Sequence, residues 1–159
     1  MTVKTRKYYS LAQYLKASPQ PLSKGEGAFK STGLGEVIMA NKKTLILGAT
    51  PNAGRYAYLA ANRLAGRGHA IVNVGLKTGE VAGVPIEKPE TIHGDIDTIT
   101  LYVGPQNQPA LYDYILNTHP KRIIFNPGTE NAELQKLAEA KGIETEYACT
   151  LVLLSIGEY

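Results

Sequence analysis

With a single cysteine, Cys149, the chain can form no internal disulfide framework, so its stability must come from a packed core in a reducing compartment. No apolar run approaches the roughly 20 residues needed to cross a bilayer, and no apolar segment follows the basic N-terminal residues as a secretory signal would require. Charge of one sign is also scarce. The formal net charge is +3, much of it in residues 1 to 43, and the near-neutral remainder has no footprint for nucleic acid. No His, Cys or carboxylate spacing suggests a metal ligand set. His69, His93 and His119 are expected at strand entrances or in pre-strand loops, with His69 as surface structure. The chain of 159 residues, 43% of them apolar and 19% charged, suits a soluble, cytoplasmic α/β domain.

The most informative stretch runs from Lys43 to Tyr56. Thr44 to Leu47 form an apolar run that can cover both faces of a buried strand, and Gly48 ends it where the chain must turn. Ala49, Thr50 and Asn52 are short, Pro51 disfavours helix at Thr50, and Gly54 allows close backbone approach. From Arg55 onward Ala57, Ala60, Ala61 and Leu64 recur at helical spacing. Peptide N–H groups at such a helix start are unpaired and the dipole is positive there, so the turn at 49 to 55 is expected to hold a phosphate. The alternative is a turn that merely caps itself.

Two further absences narrow the ligand. A P-loop needs four residues between its glycines and then Lys-Ser/Thr, whereas five separate Gly48 from Gly54 and Arg55-Tyr56 follow. A dinucleotide fingerprint wants an acidic residue at the tip of the second strand, but Ala70 to Val74 is followed by Gly75-Leu76. Nucleotide triphosphate hydrolysis and NAD are both disfavoured.

Residues 1 to 38 differ in character, with clustered Pro, Gly and Ser and one short helix expected over Leu11 to Lys16. Met39 opens Met-Ala-Asn-Lys-Lys directly before the first strand. Residues 1 to 38 are therefore expected to be a flexible arm or translated leader, and residues 39 to 159 the domain. Beyond the first helix, further strands are expected at 70–74, 98–103, 121–125 and 143–148. Helices are expected over about 109–117, 131–141 with Thr129 as N-cap, and 151–156. Leu76 to His93 reads as an excursion containing a small hairpin and a short helical turn. Five strands alternating with helices imply a parallel sheet, order 3-2-1-4-5, in a three-layer αβα sandwich. Ligands in such sheets sit beyond the C-terminal strand ends. The loops meeting there are Gly48–Arg55, Asn73–Lys77, Tyr102–Asn107, Asn126–Thr129 and Cys149-Thr150.

From Lys43 onward the sequence resembles the small stand-alone CoA-binding proteins, whose Rossmann-like domain is similar to the N-terminal domain of the succinyl-CoA synthetase α subunit. Gly48-Ala-Thr-Pro-Asn52, Gly68-His-Ala-Ile-Val72, Lys77-Thr-Gly-Glu-Val-Ala-Gly83, Asp97, Asn126-Pro-Gly128 and Cys149 carry the resemblance. It implies CoA or an acyl-CoA as ligand. The implied binding residues are Gly48, Ala49, Thr50, Pro51, Asn52, Gly54 and Arg55 in the first turn; Asn73, Gly75 and Leu76 at the second tip; and Tyr102, Val103 and Gly104 after the third strand. Asn126, Pro127, Gly128 and Cys149 complete the set. Departures are Asn73-Val-Gly-Leu76 in place of Pro-Val-Asn-Pro, Tyr102-Val103 in place of Phe-Arg, and Ala148-Cys149-Thr150 in place of Arg-Cys-Pro. They leave Arg55 as the main counter-ion for a diphosphate.

No catalytic pair is evident. Glu130, Glu133, Glu139, Glu144 and Glu146 read as a solvated helix face and strand edge. Cys149 is either a small core residue or a thiol facing the cleft near a helix start. The expected partner is a small-molecule nucleotide, with neither nucleic acid nor membrane, in a monomer or homodimer. The chain then acts as a non-catalytic binding module. Alternatives are an NAD(P)-linked enzyme with Tyr102 as proton donor, or an interaction domain presenting Tyr56, Tyr58, Tyr112 and Tyr114.

Overall fold

A computed structural model describes residues 41–159. The arm or leader expected over residues 1 to 38, its short helix and the start at Met39 lie outside the described residues.

Leu45, Ile46 and Leu47 are each 0–1% exposed because successive side chains of one strand enter opposite cores. Strand β1 (Thr44–Leu47) is followed by α1 (Tyr56–Gly66), β2 (Ile71–Val74), β3 (Glu80–Val81), β4 (Val84–Glu87) and β5 (Thr98–Leu101). Two 3₁₀ turns, Pro105–Asn107 and Pro109–Leu111, lead into α2 (Tyr112–Thr118), then β6 (Arg122–Phe125), α3 (Ala132–Ala140), β7 (Glu144–Tyr147) and α4 (Thr150–Ile156). Leu45 and Leu47 share a core with Val72, Ile99, Ile115, Phe125 and Leu134, under α2 and α3. Ile46 faces the other way, onto Ala57, Ala61 and Leu64 of α1 and Leu154 of α4. The small alanines let α1 lie close to the sheet.

The expected three-layer arrangement is present, but the sheet has seven strands, ordered β3-β4-β2-β1-β5-β6-β7. The expected five-strand sheet and its 3-2-1-4-5 order are therefore corrected. The five strands read from sequence run 2-1-3-4-5, and the excursion supplies two more. Counting only the parallel strands, β4 is the third, which restores the 3-2-1-4-5-6 order of a dinucleotide-binding sheet. Ala82 (φ 53°) and Gly83 (φ 75°) make the tight turn between β3 and β4. Two successive positive φ values suit the twist of a two-residue hairpin.

Parallel pairing aligns the strand tips. Leu47 lies beside Val74 and Leu101, Leu101 beside Phe125, Phe125 beside Tyr147, and Val74 beside Glu87. All the loops after these strands therefore leave from one row. The chain reverses direction across the sheet between β1 and β5, opening a crevice there.

Local expectations change in two places. Asn131, not Thr129, caps α3, its Oδ1 accepting from the N–H groups of Glu133 (3.0 Å) and Leu134 (3.2 Å). Thr129 instead turns back and donates to the Asn126 carbonyl. His69 is buried rather than at the surface, and its Nδ1 accepts from the Lys42 N–H at 3.1 Å. His93 lies in the loop before β5, as expected, and its Nε2 contacts Glu87, the last residue of β4.

Candidate functional site

The cleft above the β1–β5 crossover has a volume of about 780 Å³, within the range of small-molecule sites. Three strand tips converge on it because two glycines let their backbones touch. Gly48 (φ +100°) lies where a Cβ would be 3.0 Å from the Tyr102 carbonyl, and a Cβ on Gly75 would come within 2.2 Å of the Ala49 carbonyl oxygen.

From the first turn, Gly48, Ala49, Thr50, Asn52 and Arg55 line the cleft. Pro51 and Gly54 do not: Pro51 instead sits under Gly79 of the hairpin approach, where an added Cβ would be 3.0 Å away. The turn occupies many of its own donors. The Gly48 and Ala49 amides both reach the Val74 carbonyl at 2.9 Å; Asn52 Oδ1 accepts from Gly54 N–H, and Asn52 N–H reaches Thr50 Oγ1. Arg55 N–H is taken by the Asn52 carbonyl. Among the described residues, no hydrogen bond uses the N–H of Thr50, Tyr56 or Ala57, all of which line the cleft. The expected fan of donors over 49 to 55 is thus corrected toward the first residues of α1.

That helix start is electrostatically unusual. Arg55 occupies the N-cap with no side-chain cap, and the first turn carries no acidic residue. A cation beside the positive end of a helix dipole is unfavourable unless an anion joins them. Across the cleft is Lys77, in the loop after β2. Among the described residues, no hydrogen bond or ion pair engages either cation's side chain, and no Asp, Glu, His or Cys lines the cleft.

Gly75 and Leu76 line it as well, and Leu76 is 85% exposed, an apolar side chain standing in solvent at the rim. Asn73 does not. It is fully buried and donates to the Val81 and Val84 carbonyls at 3.0 Å, fastening the β3–β4 hairpin to β2. Tyr102, Val103, Gly104, Pro127 and Gly128 form the opposite wall. Asn126 lies beneath that wall, bonding Thr100 Oγ1 and the Leu101 carbonyl and accepting from Thr150 N–H at 2.9 Å. Cys149 is buried in a cluster with Ala60, Leu151 and Val152, with Tyr102 packed against it, and does not line the cleft.

The Tyr102 hydroxyl is buried, near the Thr100 and Thr150 side chains. Burial, together with the nearby Cys149, raises its pKa far above the ordinary phenol value. The residue lines the cleft, but its acid group is buried. The four tyrosines of the interaction reading divide between α1 and α2, on opposite sheet faces, and Tyr114 is buried. Nor are all the carboxylates solvated. Glu146 pairs with Arg122, both side chains 13% exposed, and Glu130 accepts from Gly128 N–H.

Reasoning from sequence placed Lys77 in a loop at this end of the sheet without assigning it to the site, and did not single out Tyr56 or Ala57, nor Pro89, Ala110 and Leu111, which also line the cleft. A basic residue just past the second strand tip was the available signal for Lys77. Tyr56 and Ala57 follow Arg55 at the start of α1, while nothing local marks the others, which arrive from the return of the hairpin and the approach to α2. Among the described residues no helix is long and apolar enough to cross a membrane, and no group of three potential metal ligands occurs.

Comparison with known proteins gives the family and the fold. A family model described as CoA binding domain matches residues 42–155. A crystal structure of an uncharacterized protein is 55% identical, covering 76% of this chain and 99% of its own, with a TM-score of 0.74. A Thermus thermophilus protein (18% identity, 75% of this chain, 91% of its own, TM-score 0.66) and a hypothetical protein from Pyrococcus horikoshii OT3 (24%, 70%, 80%, 0.61) share the fold. No curated protein matches. With most of its length matched by that model, the chain belongs to the CoA binding domain family.

Proposed function

We propose that this protein binds CoA or an acyl-CoA as a non-catalytic module. The observation that supports this best is the meeting, in a cleft without carboxylates, of unpaired amides at Tyr56 and Ala57 with the side chains of Arg55 and Lys77. On this reading the phosphates sit at the start of α1, where the dipole and two cations neutralise them. The adenosine part lies along Gly75 to Lys77, with Leu76 offering an apolar surface to the base. The pantetheine arm runs between Tyr102–Asn107 and Pro127–Thr129, a mostly apolar channel. The protein's partner is then a small nucleotide met in the cytoplasm.

A thermal-shift and calorimetric panel of CoA, acetyl-CoA, NAD, NADP and ADP tests the reading, since a ligand preferring the native state raises the midpoint. CoA or acetyl-CoA is expected to give the largest shift, with affinity lowered about tenfold in Arg55→Ala and in Lys77→Ala. The proposal is overturned if neither CoA nor acetyl-CoA shifts the midpoint, or if NADP binds more tightly than both. The NAD(P) alternative would need a proton donor in the cleft, and the hydroxyl of its candidate, Tyr102, is turned into the protein.

A further inference from the structure

Gln108 is wholly buried, yet it belongs to a loop whose neighbours Gly104, Asn107 and Ala110 line the cleft. A buried amide needs a reason, and this one has all its donors engaged. Its Nε2 donates to the Val103 carbonyl at 2.8 Å and to the Thr129 carbonyl at 2.7 Å; its Oε1 accepts from Asn131 Nδ2 at 2.8 Å. Val103 and Thr129 are both cleft residues, one after β5 and the other after β6. Asn131 continues the chain of bonds, donating also to the Tyr112 hydroxyl, which in turn donates to Glu133 at 2.9 Å. Its own Oδ1 caps α3. One side chain therefore joins the loop after β5, the loop after β6 and the starts of two helices into a single hydrogen-bonded wall. The opposite wall, Gly75 to Lys77, is held by a different set of contacts, the Gly75–Ala49 approach and the Gly75 N–H bond to the Glu87 carbonyl.

We infer that Gln108 is a positioning residue for the far half of the ligand: it sets the spacing of the wall that receives the pantetheine arm and leaves the nucleotide half untouched. This rests on the CoA reading above. Replacing the amide with an apolar isostere strands two buried carbonyls and one amide, so the wall must open or reorganise to hydrate them.

The test compares CoA with adenosine 3′,5′-bisphosphate, which carries only the nucleotide half, on wild type, Gln108→Met and Tyr112→Phe, with thermal midpoints recorded alongside. The expected result is CoA affinity about tenfold weaker in Gln108→Met and a smaller loss in Tyr112→Phe, with bisphosphate affinity within about twofold of wild type. A merely structural role would weaken both ligands together. Parallel loss of both ligands, or no change in either, overturns the inference while leaving CoA binding standing. If Gln108→Met does not fold, Tyr112→Phe decides on the same split. Wild-type protein that binds neither compound overturns the cleft reading and this inference with it, and equal wild-type affinity for the two shows that the arm makes no use of the wall.

Discussion

Gly75 is the residue on which the shape of the cleft depends most directly. Its Cα faces the Ala49 carbonyl so closely that a Cβ would come within 2.2 Å, and the contact is with backbone that is itself bonded to Val74. Neither side can yield without moving a strand tip. Gly75→Ala is therefore expected to lower stability by about 1–3 kcal/mol, read from urea denaturation, and to weaken nucleotide binding even where the protein remains folded. Gly54, which looked equally permissive from sequence, has only the Asn52 Oδ1 near its absent Cβ, at 3.3 Å, and no cleft role. Arg55 illustrates the converse. Local rules place Ser, Thr, Asp or Asn at an N-cap, and a cation there conflicts with the dipole. On the proposed reading, the rule is broken here because a bound anion would join Arg55 to the helix start.

At the scale of elements, the small hairpin expected between Leu76 and His93 is present, and what the sequence did not show is that β4 joins the main sheet. Gly79, Gly83, Pro85 and Pro89 are punctuation in any sequence reading, and Pro85 argues against a strand. Tertiary contacts overrule that. Asn73 pins both hairpin strands, and β4 pairs with β2 through only two residue pairs, Asn73 with Ile86 and Val74 with Glu87. The turn retains a defect, since Ala82 carries a Cβ at φ 53°. Asn tolerates this region better and Asn-Gly is the preferred pair for such a turn. Ala82→Asn is expected to stabilise the protein by about 0.5–1 kcal/mol, visible as a raised thermal midpoint, with no change in ligand affinity. A lowered midpoint would show that the turn is not held in this conformation. The asparagines follow the same logic. Asn73 and Asn126 sit at or near strand tips, where sequence suggests a ligand contact, but Asn73 donates to hairpin carbonyls and Asn126 bonds Thr100 Oγ1, the Leu101 carbonyl and the Thr150 N–H that starts α4.

At the scale of the whole molecule, the end of the sheet opposite the cleft is closed by Tyr159. Its ring packs edge-on against His69 at 5.0 Å between centroids, with Arg122 5.0 Å and Lys42 5.5 Å from its centroid, and its hydroxyl bonds Thr44. Burial, and after it the charges of Lys42, Arg67 and Arg122, push the His69 pKa below its ordinary 6.5, against the weaker opposite pull of Asp97. The unfolded chain then binds a proton that the folded chain resists. This contribution to stability is complete above about pH 6.5 and is lost as the pH falls through that value toward the lower folded-state pKa. Urea midpoints are expected to fall between pH 7 and pH 5, and to fall less in His69→Asn, which keeps an acceptor for Lys42 N–H but does not titrate. Equal slopes in the two proteins would remove His69 as the cause.

The amino-acid order alone determined the buried strands, the alternation with helices and the end of the sheet from which the ligand loops emerge, because these depend on apolar periodicity and on breakers between periodic stretches. Only tertiary structure decided which residues at that end line the cleft. Lys77, Tyr56 and Ala57 line the cleft, while Asn73, Asn126 and Cys149 do not. In a parallel sheet covered on both faces, burial pattern does not say which neighbour a polar side chain will find. That depends on register between strands distant in sequence, as when Asn126 meets Thr150, and on backbone approaches such as Gly75 to Ala49 that no single segment encodes.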